Sequence, residues 1–538
     1  AMENTTAVIF GEFMQQTERE LIDNLTNDKI VAHEMFHHWF GDYVTCETWS
    51  QLTLNEGFAN YSEYLWLERQ FGRDEADSHL LEEWSGYLGS AQRGGVHPLI
   101  WTDYDDKEDM FDAHSYNKGG SVLHMLRYYV GDEAFFASLK KYLTDNKLSA
   151  VEVDELRMAF EEVTGQDLNW FFNQWFHQPG HPALDITYGY NRETREATVL
   201  VKQTQSTENG TPGVFQLPVD IDVYGAGGAA TRHRVMVTER EQLFRFPAAT
   251  EPPLIVFDAE HVILGPKDYN SNSAQLAAQF RRAPRFLDRY NALARISSLD
   301  GEDDLKEAIF NEALQDTFYG IRAMALARFE MGDNSPALAR IRTLAREDAH
   351  SEVRSTALGV LAAAEDPMTV ELAKSAVDNA RSYTVVGAGL AALAVAAPAE
   401  AATYAKKLEN EENGEISAAV ATIYGETGDA AYLPYFQNRL EKQDGFGAMN
   451  FYGSYQELLA KSDPEQFTAG LAEMRRIGTD QAQSPWRRLA SAKALADMRS
   501  EMSDEVRIAR VNEVISAIVS AETNEDLIRI YPQFTGGK

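Results

Sequence analysis

Two histidines and a glutamate near the start of the chain have the types and spacing of a metal site. The segment His33-Glu34-x-x-His37 fits the pattern His-Glu-x-x-His, and residues four apart lie on one face of a helix. Both imidazoles can therefore reach one zinc ion, and Glu34 projects beside the place of a metal-bound water. The pattern also arises by chance, so a third candidate ligand is needed to support a metal site.

Glu56 is the candidate third ligand. It follows His37 after 18 intervening residues and lies near the start of a second helical stretch. Two histidines and one carboxylate with an open fourth position are typical of a hydrolytic zinc site, so we expect one catalytic zinc ion with Glu34 as general base. The alternative for Glu56 is a helix-capping box with Thr53.

Two further residues, Glu63 and His38, could also take part in the site. Glu63 lies seven residues after Glu56 on the same helix face and could orient a ligand imidazole through a hydrogen bond. Its alternative is an ordinary solvated glutamate. His38 points about 100° away from His37 around the helix, so we expect it to bind no metal.

The elements that must position these residues are mostly helices. Helical periodicity predicts helices over Lys29 to Val44, Leu52 to Phe71, Ser121 to Val130 and Val153 to Val163. The fold class expected is multidomain and mainly α, with three domains. Residues 1–182 are predicted to form a helical catalytic domain. The alternating pattern of 183–265 predicts a small β-sandwich domain. Residues 266–538 are predicted to form an α-helical repeat domain of the HEAT or armadillo kind. An irregular α-bundle is the alternative for the last region.

Composition excludes some classes of protein. The chain has 538 residues, of which 83 are acidic and 49 basic, and a net charge of −34 argues against nucleic-acid partners. No apolar run approaches the roughly 20 residues that cross a bilayer. Cys46 is the single cysteine, so no internal disulfide forms. The compartment stays open: the cytoplasm is slightly favoured, with the periplasm or secretion as alternatives.

Several short motifs, in a fixed order, resemble the aminopeptidase N family of zinc aminopeptidases. They are Ala1-Met2-Glu3-Asn4, His33-Glu34-x-x-His37, Trp39-Phe40-Gly41-Asp42 and Asn55-Glu56-Gly57-Phe58-Ala59. The resemblance implies a gluzincin with a thermolysin-like catalytic domain in residues 1–182 and a helical C-terminal domain. It also implies peptide substrates with a free N-terminus.

The resemblance assigns roles that the residues alone do not reveal. Glu3 would bind the α-ammonium group of the substrate, with Ala1, Met2 and Asn4 beside it. Tyr116, in a segment that runs from Ser115 to Gly119, would stabilise the oxyanion. Each of these roles is implied by the family and not by spacing.

The chain also departs from the family pattern. Gln51 and Thr53 stand where the family usually has an aspartate and a tryptophan. The N-terminal β domain of the family and the first part of its thermolysin-like domain have no counterpart here, so we expect an upstream domain that this chain lacks.

The function expected from the sequence is removal of N-terminal amino acids from peptides by a zinc-activated water. A thermolysin-like zinc endopeptidase is the first alternative, because it shares the ligands but leaves the substrate amine unbound. The second alternative is a helical-repeat binding scaffold with a vestigial metal site.

Overall fold

The computed structural model describes residues 2–328 and 337–536. Within them the chain is mainly helical with small sheets, as the sequence predicts. Ala1, for which we expected a substrate contact, and the C-terminal Lys538 lie outside the described residues. The chain divides into two compact units, one of Ala1–Gln16 with Asn24–Arg328 and the other of Thr17–Asp23 with Phe329–Lys538.

The first unit begins with the helices that carry the candidate site. They are α1 (Thr26–Phe36), α2 (Thr53–Gln70), α3 (Arg73–Gly94), α4 (Gly119–Val130), α5 (Asp132–Asp145), α6 (Val153–Thr164) and α7 (Asn169–Trp175). Two short parallel strands, β1 (Thr45–Cys46) and β2 (Ala150–Val151), pair between them. Short 3-10 turns occupy Glu12–Met14, Trp49–Gln51 and Lys107–Met110, and a π-helical turn occupies His114–Lys118.

Two sheets follow in the first unit. Their strands are β3 (Leu184–Asn191), β4 (Glu196–Gln203), β5 (Leu217–Tyr224), β6 (Ala230–Val237), β7 (Glu241–Pro247), β8 (Leu254–Phe257) and β9 (Lys267–Tyr269). The orders are β7-β4-β3-β9 and β6-β5-β8. Antiparallel β3 and β4 pair Leu184 with Gln203, and every second residue of β4 is buried, as an alternating strand requires.

Helices make up the rest of the described chain. The first unit ends with α8 (Ser273–Arg282), α9 (Phe286–Ser297), α10 (Asp303–Ala313) and α11 (Tyr319–Arg328). The second unit contains α12 (Ala337–Glu347), α13 (Ser351–Ala363), α14 (Thr369–Asn379), α15 (Tyr383–Ala396), α16 (Pro398–Leu408), α17 (Gly414–Thr427), α18 (Leu433–Gln437), α19 (Gly445–Lys461), α20 (Pro464–Thr479), α21 (Pro485–Glu501), α22 (Glu505–Ala521), α23 (Glu525–Ile530) and α24 (Pro532–Thr535). It also has 3-10 turns at Ala430–Tyr432 and Leu440–Lys442.

The repeat prediction came from similar segments that begin at Arg322, Arg354 and Gly389. They lie on α11, α13 and α15, which are every second helix. In the second unit α15 packs against both α13 and α14, as stacked helix pairs do. The repeat architecture and the domain boundaries remain predictions. No helix among the described residues is both long and apolar enough to cross a membrane.

The first helix is shorter than its periodicity suggested. It ends at Phe36, and His37 is its C-cap with φ −57° and ψ −25°. Beyond it Phe40 and Val44 are buried and Trp39 is exposed, in a turn that Gly41 completes at φ +143°. Because His37 keeps helical dihedrals, it still lies on the same face as His33.

Glycines allow α2 to approach the turn that leads into α4. A Cβ on Gly57 would come within 3.2 Å of the Gly119 backbone, and one on Gly119 within 3.1 Å of the Gly57 Cα. The ring of Phe58 beside this crossing stacks on Phe40 with centroids 4.1 Å apart. The close crossing brings the π-helical turn next to the helix that carries Glu56.

Candidate metal centre

Three ligand atoms converge in the first unit. Nε2 of His33 and Nε2 of His37 each lie 3.3 Å from Oε2 of Glu56. In a tetrahedral zinc site with bonds of about 2.0–2.1 Å, ligand atoms stand about 3.3–3.4 Å apart. The separations therefore fit a metal ion held between the three side chains, which are largely shielded from solvent.

The second nitrogen of each imidazole has a fixed partner. Nδ1 of His33 lies 2.9 Å from Oε1 of Glu63, and Nδ1 of His37 lies 3.0 Å from the carbonyl oxygen of Phe40. Both partners only accept, so each Nδ1 donates its hydrogen and leaves the Nε2 lone pair facing Glu56. The sequence-based assignment of Glu63 as an orienting residue agrees with this geometry.

Burial and charge act against each other at these ligands. Burial lowers the pKa of His33, but hydrogen bonds with Glu56 and Glu63 outweigh it and raise the pKa to about 10. Burial likewise opposes the charge of Glu56, yet the two histidines, once protonated at Nε2, donate hydrogen bonds to it and lower its pKa to about 2. The site thus holds a positive charge strongly, either as protons or as a metal ion that displaces them.

The alternative assignments near Glu56 can be compared with the geometry. The N-cap of α2 is Leu52, no side chain caps the helix, and the Thr53 hydroxyl donates to the carbonyl of Ser115 instead. The capping box with Glu56 is therefore not formed. Nδ1 of His38 faces Asp42 at 3.0 Å and its side chain is about one-third exposed, so it takes no part in the centre.

Glu34 lies beside the three candidate ligands. Its side chain is buried, and its Oε2 accepts no hydrogen bond from any described residue. Burial raises the pKa of this carboxyl. A buried carboxylate with a free oxygen and a raised pKa suits the exchange of a proton with water.

Two residues assigned through the family also reach this place. A carboxylate oxygen of Glu3, one of Glu34 and a ring nitrogen of His37 lie within 4.8 Å of one another. The ring of Tyr116 lies parallel to that of His33, with centroids 6.0 Å apart, and burial raises the Tyr116 pKa. An uncharged phenol at this position can donate a hydrogen bond.

The other described residues of the opening motif are Met2 and Asn4. Met2 and Asn4 are exposed, and Met2 pairs through its backbone with Ile9. The N–H of Met2 donates to the Ile9 carbonyl at 2.9 Å, and the Met2 carbonyl accepts from the Ile9 N–H at 3.0 Å.

A second histidine and carboxylate cluster escaped the sequence reasoning. Oδ2 of Asp112 lies 2.9 Å from Nε2 of His97 and 2.6 Å from Nδ1 of His114. The segment Asp112-Ala113-His114-Ser115 has the spacing of an Asx-type cap and could have indicated the role of Asp112. No local signal marks His97, because it lies 15 residues earlier.

The two residues that depart from the family pattern, Gln51 and Thr53, both form hydrogen bonds with the backbone. Oε1 of Gln51 accepts a hydrogen bond of 3.1 Å from the backbone N–H of Val153, where α6 begins. The Thr53 hydroxyl bonds to Ser115, which precedes Tyr116. Both substituted side chains thus hold backbone near the site.

The fold and the site together define a mainly helical protein with a two-histidine, one-carboxylate centre of the kind that hydrolases use. Comparison with known proteins then shows what the chain is similar to. Residues 1–175 match the family described as "Peptidase family M1 domain". The predicted resemblance to M1 aminopeptidases is confirmed.

Proteins from plants and archaea are similar to part of the chain. Aminopeptidase M1-A of Oryza sativa subsp. japonica is 34% identical over 194 residues, which are 36% of this chain and 21% of the relative. Tricorn protease-interacting factor F2 of Thermoplasma acidophilum is 32% identical over 234 residues, which are 42% of this chain and 29% of the relative. The matched region thus spans less than a third of either relative.

A structural match extends over almost the whole chain. The crystal structure of Legionella pneumophila aminopeptidase A in complex with aspartic acid superposes with a TM-score of 0.63 and 17% sequence identity. It covers 97% of this chain and 67% of the other. At this identity the match shows a shared fold.

Proposed function

We propose that this chain carries the active centre of a zinc-dependent aminopeptidase, a hydrolase that removes N-terminal residues from peptides. The observation that carries the proposal is the approach of His33 Nε2 and His37 Nε2 to Glu56 Oε2, each at 3.3 Å, with Glu34 buried beside them. The M1 family match and the aminopeptidase relatives support it.

His33, His37 and Glu56 would hold the zinc ion. Nitrogen and carboxylate oxygen ligands suit zinc, and three protein ligands leave a position open. When bound, zinc supplies Lewis-acid activation of a water molecule and of the scissile carbonyl. Glu63 keeps the imidazole of His33 in the tautomer that offers Nε2.

Glu34 would move the proton. Its carboxylate accepts a proton from the attacking water and then delivers it to the nitrogen of the leaving amine. The raised pKa makes the carboxylate a better proton acceptor than an ordinary glutamate and brings it closer to the operating pH, where it can also release the proton.

Tyr116 and Glu3 would bind and orient the substrate. The Tyr116 hydroxyl donates to the carbonyl oxygen as that oxygen gains negative charge. Glu3 pairs with the α-ammonium group, so only the first peptide bond reaches Glu34. This carboxylate favours an aminopeptidase over the endopeptidase alternative.

The test compares Glu34→Gln with the parent on aminoacyl reporter substrates and on their N-acetylated forms. We expect the parent to require the free amine, and Glu34→Gln to lose about 10²- to 10⁴-fold in rate while it keeps its zinc. Glu133→Gln, an exposed acid on α5, is the matched control and should behave as the parent. Equal rates for Glu34→Gln and the parent would refute the proposal, and equal rates on blocked substrates would favour the endopeptidase.

A further inference from the structure

The turn that carries Tyr116 is held from one side by Asp112. Oδ1 of Asp112 accepts hydrogen bonds of 3.0 Å from the backbone N–H groups of His114 and Ser115. Its Oδ2 accepts from His97 and from the His114 ring. Four donors thus hold one carboxylate at the first residues of the π-helical turn.

His97 is itself immobilised behind Asp112. Its Nδ1 lies 2.7 Å from the carbonyl oxygen of Pro98, and its ring stacks on those of Trp101 and His114, with centroid distances of 4.1 and 3.8 Å. His114 completes the arrangement, because its Nε2 faces the backbone N–H of His97 at 3.4 Å. Every ring nitrogen of the cluster has a hydrogen-bond partner.

This network is not arranged as a second metal site, although its residue types would allow one. His97 Nε2 and His114 Nδ1 direct their hydrogens at Asp112 over 2.9 and 2.6 Å, which are hydrogen-bond lengths. Ligand atoms around zinc stand about 3.3 Å apart. We therefore interpret the cluster as a hydrogen-bonded support for the neighbouring backbone.

Thr53 holds the same turn from the other side. Its hydroxyl donates to the carbonyl of Ser115 at 3.0 Å, and both residues are buried. Thr53 lies one helical turn before Glu56 on α2, and the contact of Gly57 with Gly119 brings the two segments together. The turn is thereby fastened to the helix that carries a candidate ligand.

We infer that Asp112, supported by His97, and Thr53 are positioning residues that set the place of the Tyr116 hydroxyl relative to the metal centre. The inference rests on the proposed function, in which this hydroxyl meets the developing oxyanion. A π-helical turn is a rare, single-turn departure from the α-helix that is frequent at functional sites, and side-chain contacts hold this one on both sides. A displacement of about 1 Å at a reacting group costs on the order of 10²-fold in rate.

The first experiment uses Asp112→Asn and Thr53→Val in the full chain. Asn keeps an oxygen for the backbone N–H groups but turns an NH₂ group toward the two imidazole donors, and Val removes the hydroxyl at constant shape. We expect kcat to fall about 10- to 100-fold with KM within about twofold of the parent. Thr53→Ser, which retains the hydroxyl, should restore kcat.

A double-mutant cycle shows whether the effect passes through Tyr116. In a Tyr116→Phe background the hydroxyl is gone, so Asp112→Asn and Thr53→Val should cause no further loss in kcat. Losses that multiply in full, or an unchanged kcat in both single variants, would overturn the inference. Loss of a metal ion from Asp112→Asn, by metal analysis, would also overturn it, because the cluster would then be a ligand set.

A crystal structure of Asp112→Asn provides a readout that needs no turnover. We expect the Tyr116 ring to leave its parallel position over His33, while the ligand side chains stay in place. An unmoved ring contradicts the positioning role whether or not the chain is an aminopeptidase. A separate result would show that the proposed function is wrong: the Glu34→Gln variant would have the same activity as the parent.

Discussion

Two clusters of two histidines and one carboxylate lie in the first unit, and they differ in where the hydrogens point. At the first, Glu63 and the Phe40 carbonyl take the Nδ1 hydrogens, so two Nε2 lone pairs face Glu56 at 3.3 Å. At the second, His97 and His114 direct hydrogens at Asp112 over 2.9 and 2.6 Å.

The difference shows that residue composition does not define a metal site. Lone pairs that converge on one point need a cation between them, whereas donors that converge on a carboxylate already satisfy it. At His114 the remote Nε2 faces the backbone N–H of His97, which leaves Nδ1 to donate to Asp112. We expect the first cluster to bind zinc and the second to support backbone.

The largest expected effect separates the clusters by metal content. His37→Gln removes a ligand and should reduce bound zinc from about one ion per chain to a trace, with loss of activity. His97→Gln should keep the full zinc content. His38→Gln, next to the ligand in sequence, is the matched control. Metal analysis of the dialysed proteins measures the zinc content. Loss of zinc from His97→Gln would show that the two clusters do not differ in metal binding.

A chelator should destabilise only proteins with an intact first cluster. A ligand present at 1,000 times its Kd stabilises the folded state by about 4 kcal/mol. Chelation should therefore lower the Tm of the parent and of His97→Gln, but leave that of His37→Gln unchanged. Thermal unfolding with and without chelator measures this. A shift that persists in His37→Gln would place the stabilising ion elsewhere.

Glu63→Gln should weaken the first cluster without dismantling it. Gln can still accept the hydrogen from His33 Nδ1, but without the negative charge that makes the imidazole a better ligand. We expect zinc affinity to fall about 10- to 100-fold, measured by competition with a chromogenic chelator. Glu133→Gln on the surface should have the affinity of the parent. Equal affinities for Glu63→Gln and the parent would mean that this contact does not tune the metal.

The smallest effect concerns acid stability of the second cluster. Burial opposes ionisation of Asp112, but hydrogen bonds from His114 and His97 hold its pKa well below the usual value. A lowered folded pKa stabilises above the unfolded value of about 3.9, and the contribution is lost as the pH falls further. Asp112→Asn should cost about 1.5 kcal/mol at pH 7. The difference from the parent in urea unfolding should shrink below pH 4; a difference independent of pH would contradict the assignment.

Local spacing was enough to predict the residues of the first cluster. His33, Glu34 and His37 follow from a helix period, and Glu56 from the need for a third ligand near a second helix. The same period predicted a helix to Val44 that ends at Phe36, because periodicity does not reveal where buried apolar residues leave a helix for a turn. The helix α3 also went without a prediction.

The roles of Thr53 and Asp112 could not be predicted in the same way. Thr53 meets Ser115 across 62 positions of sequence, and the approach depends on two glycines that pack against each other. The capping-box interpretation of Thr53 was reasonable locally and is not what the fold uses. Contacts of this range depend on how helices cross.

The sequence by itself determined which side chains could bind a metal, move a proton or donate to an oxyanion, because those abilities belong to the residue types. The tertiary structure decided which ring nitrogen of His33 and His37 is left to face Glu56, because an acceptor at each Nδ1 takes its hydrogen. Glu63 lies 30 positions from His33, and Asp112 lies 15 from His97. Folding brings each acceptor to its histidine and so separates a metal centre from a hydrogen-bonded support.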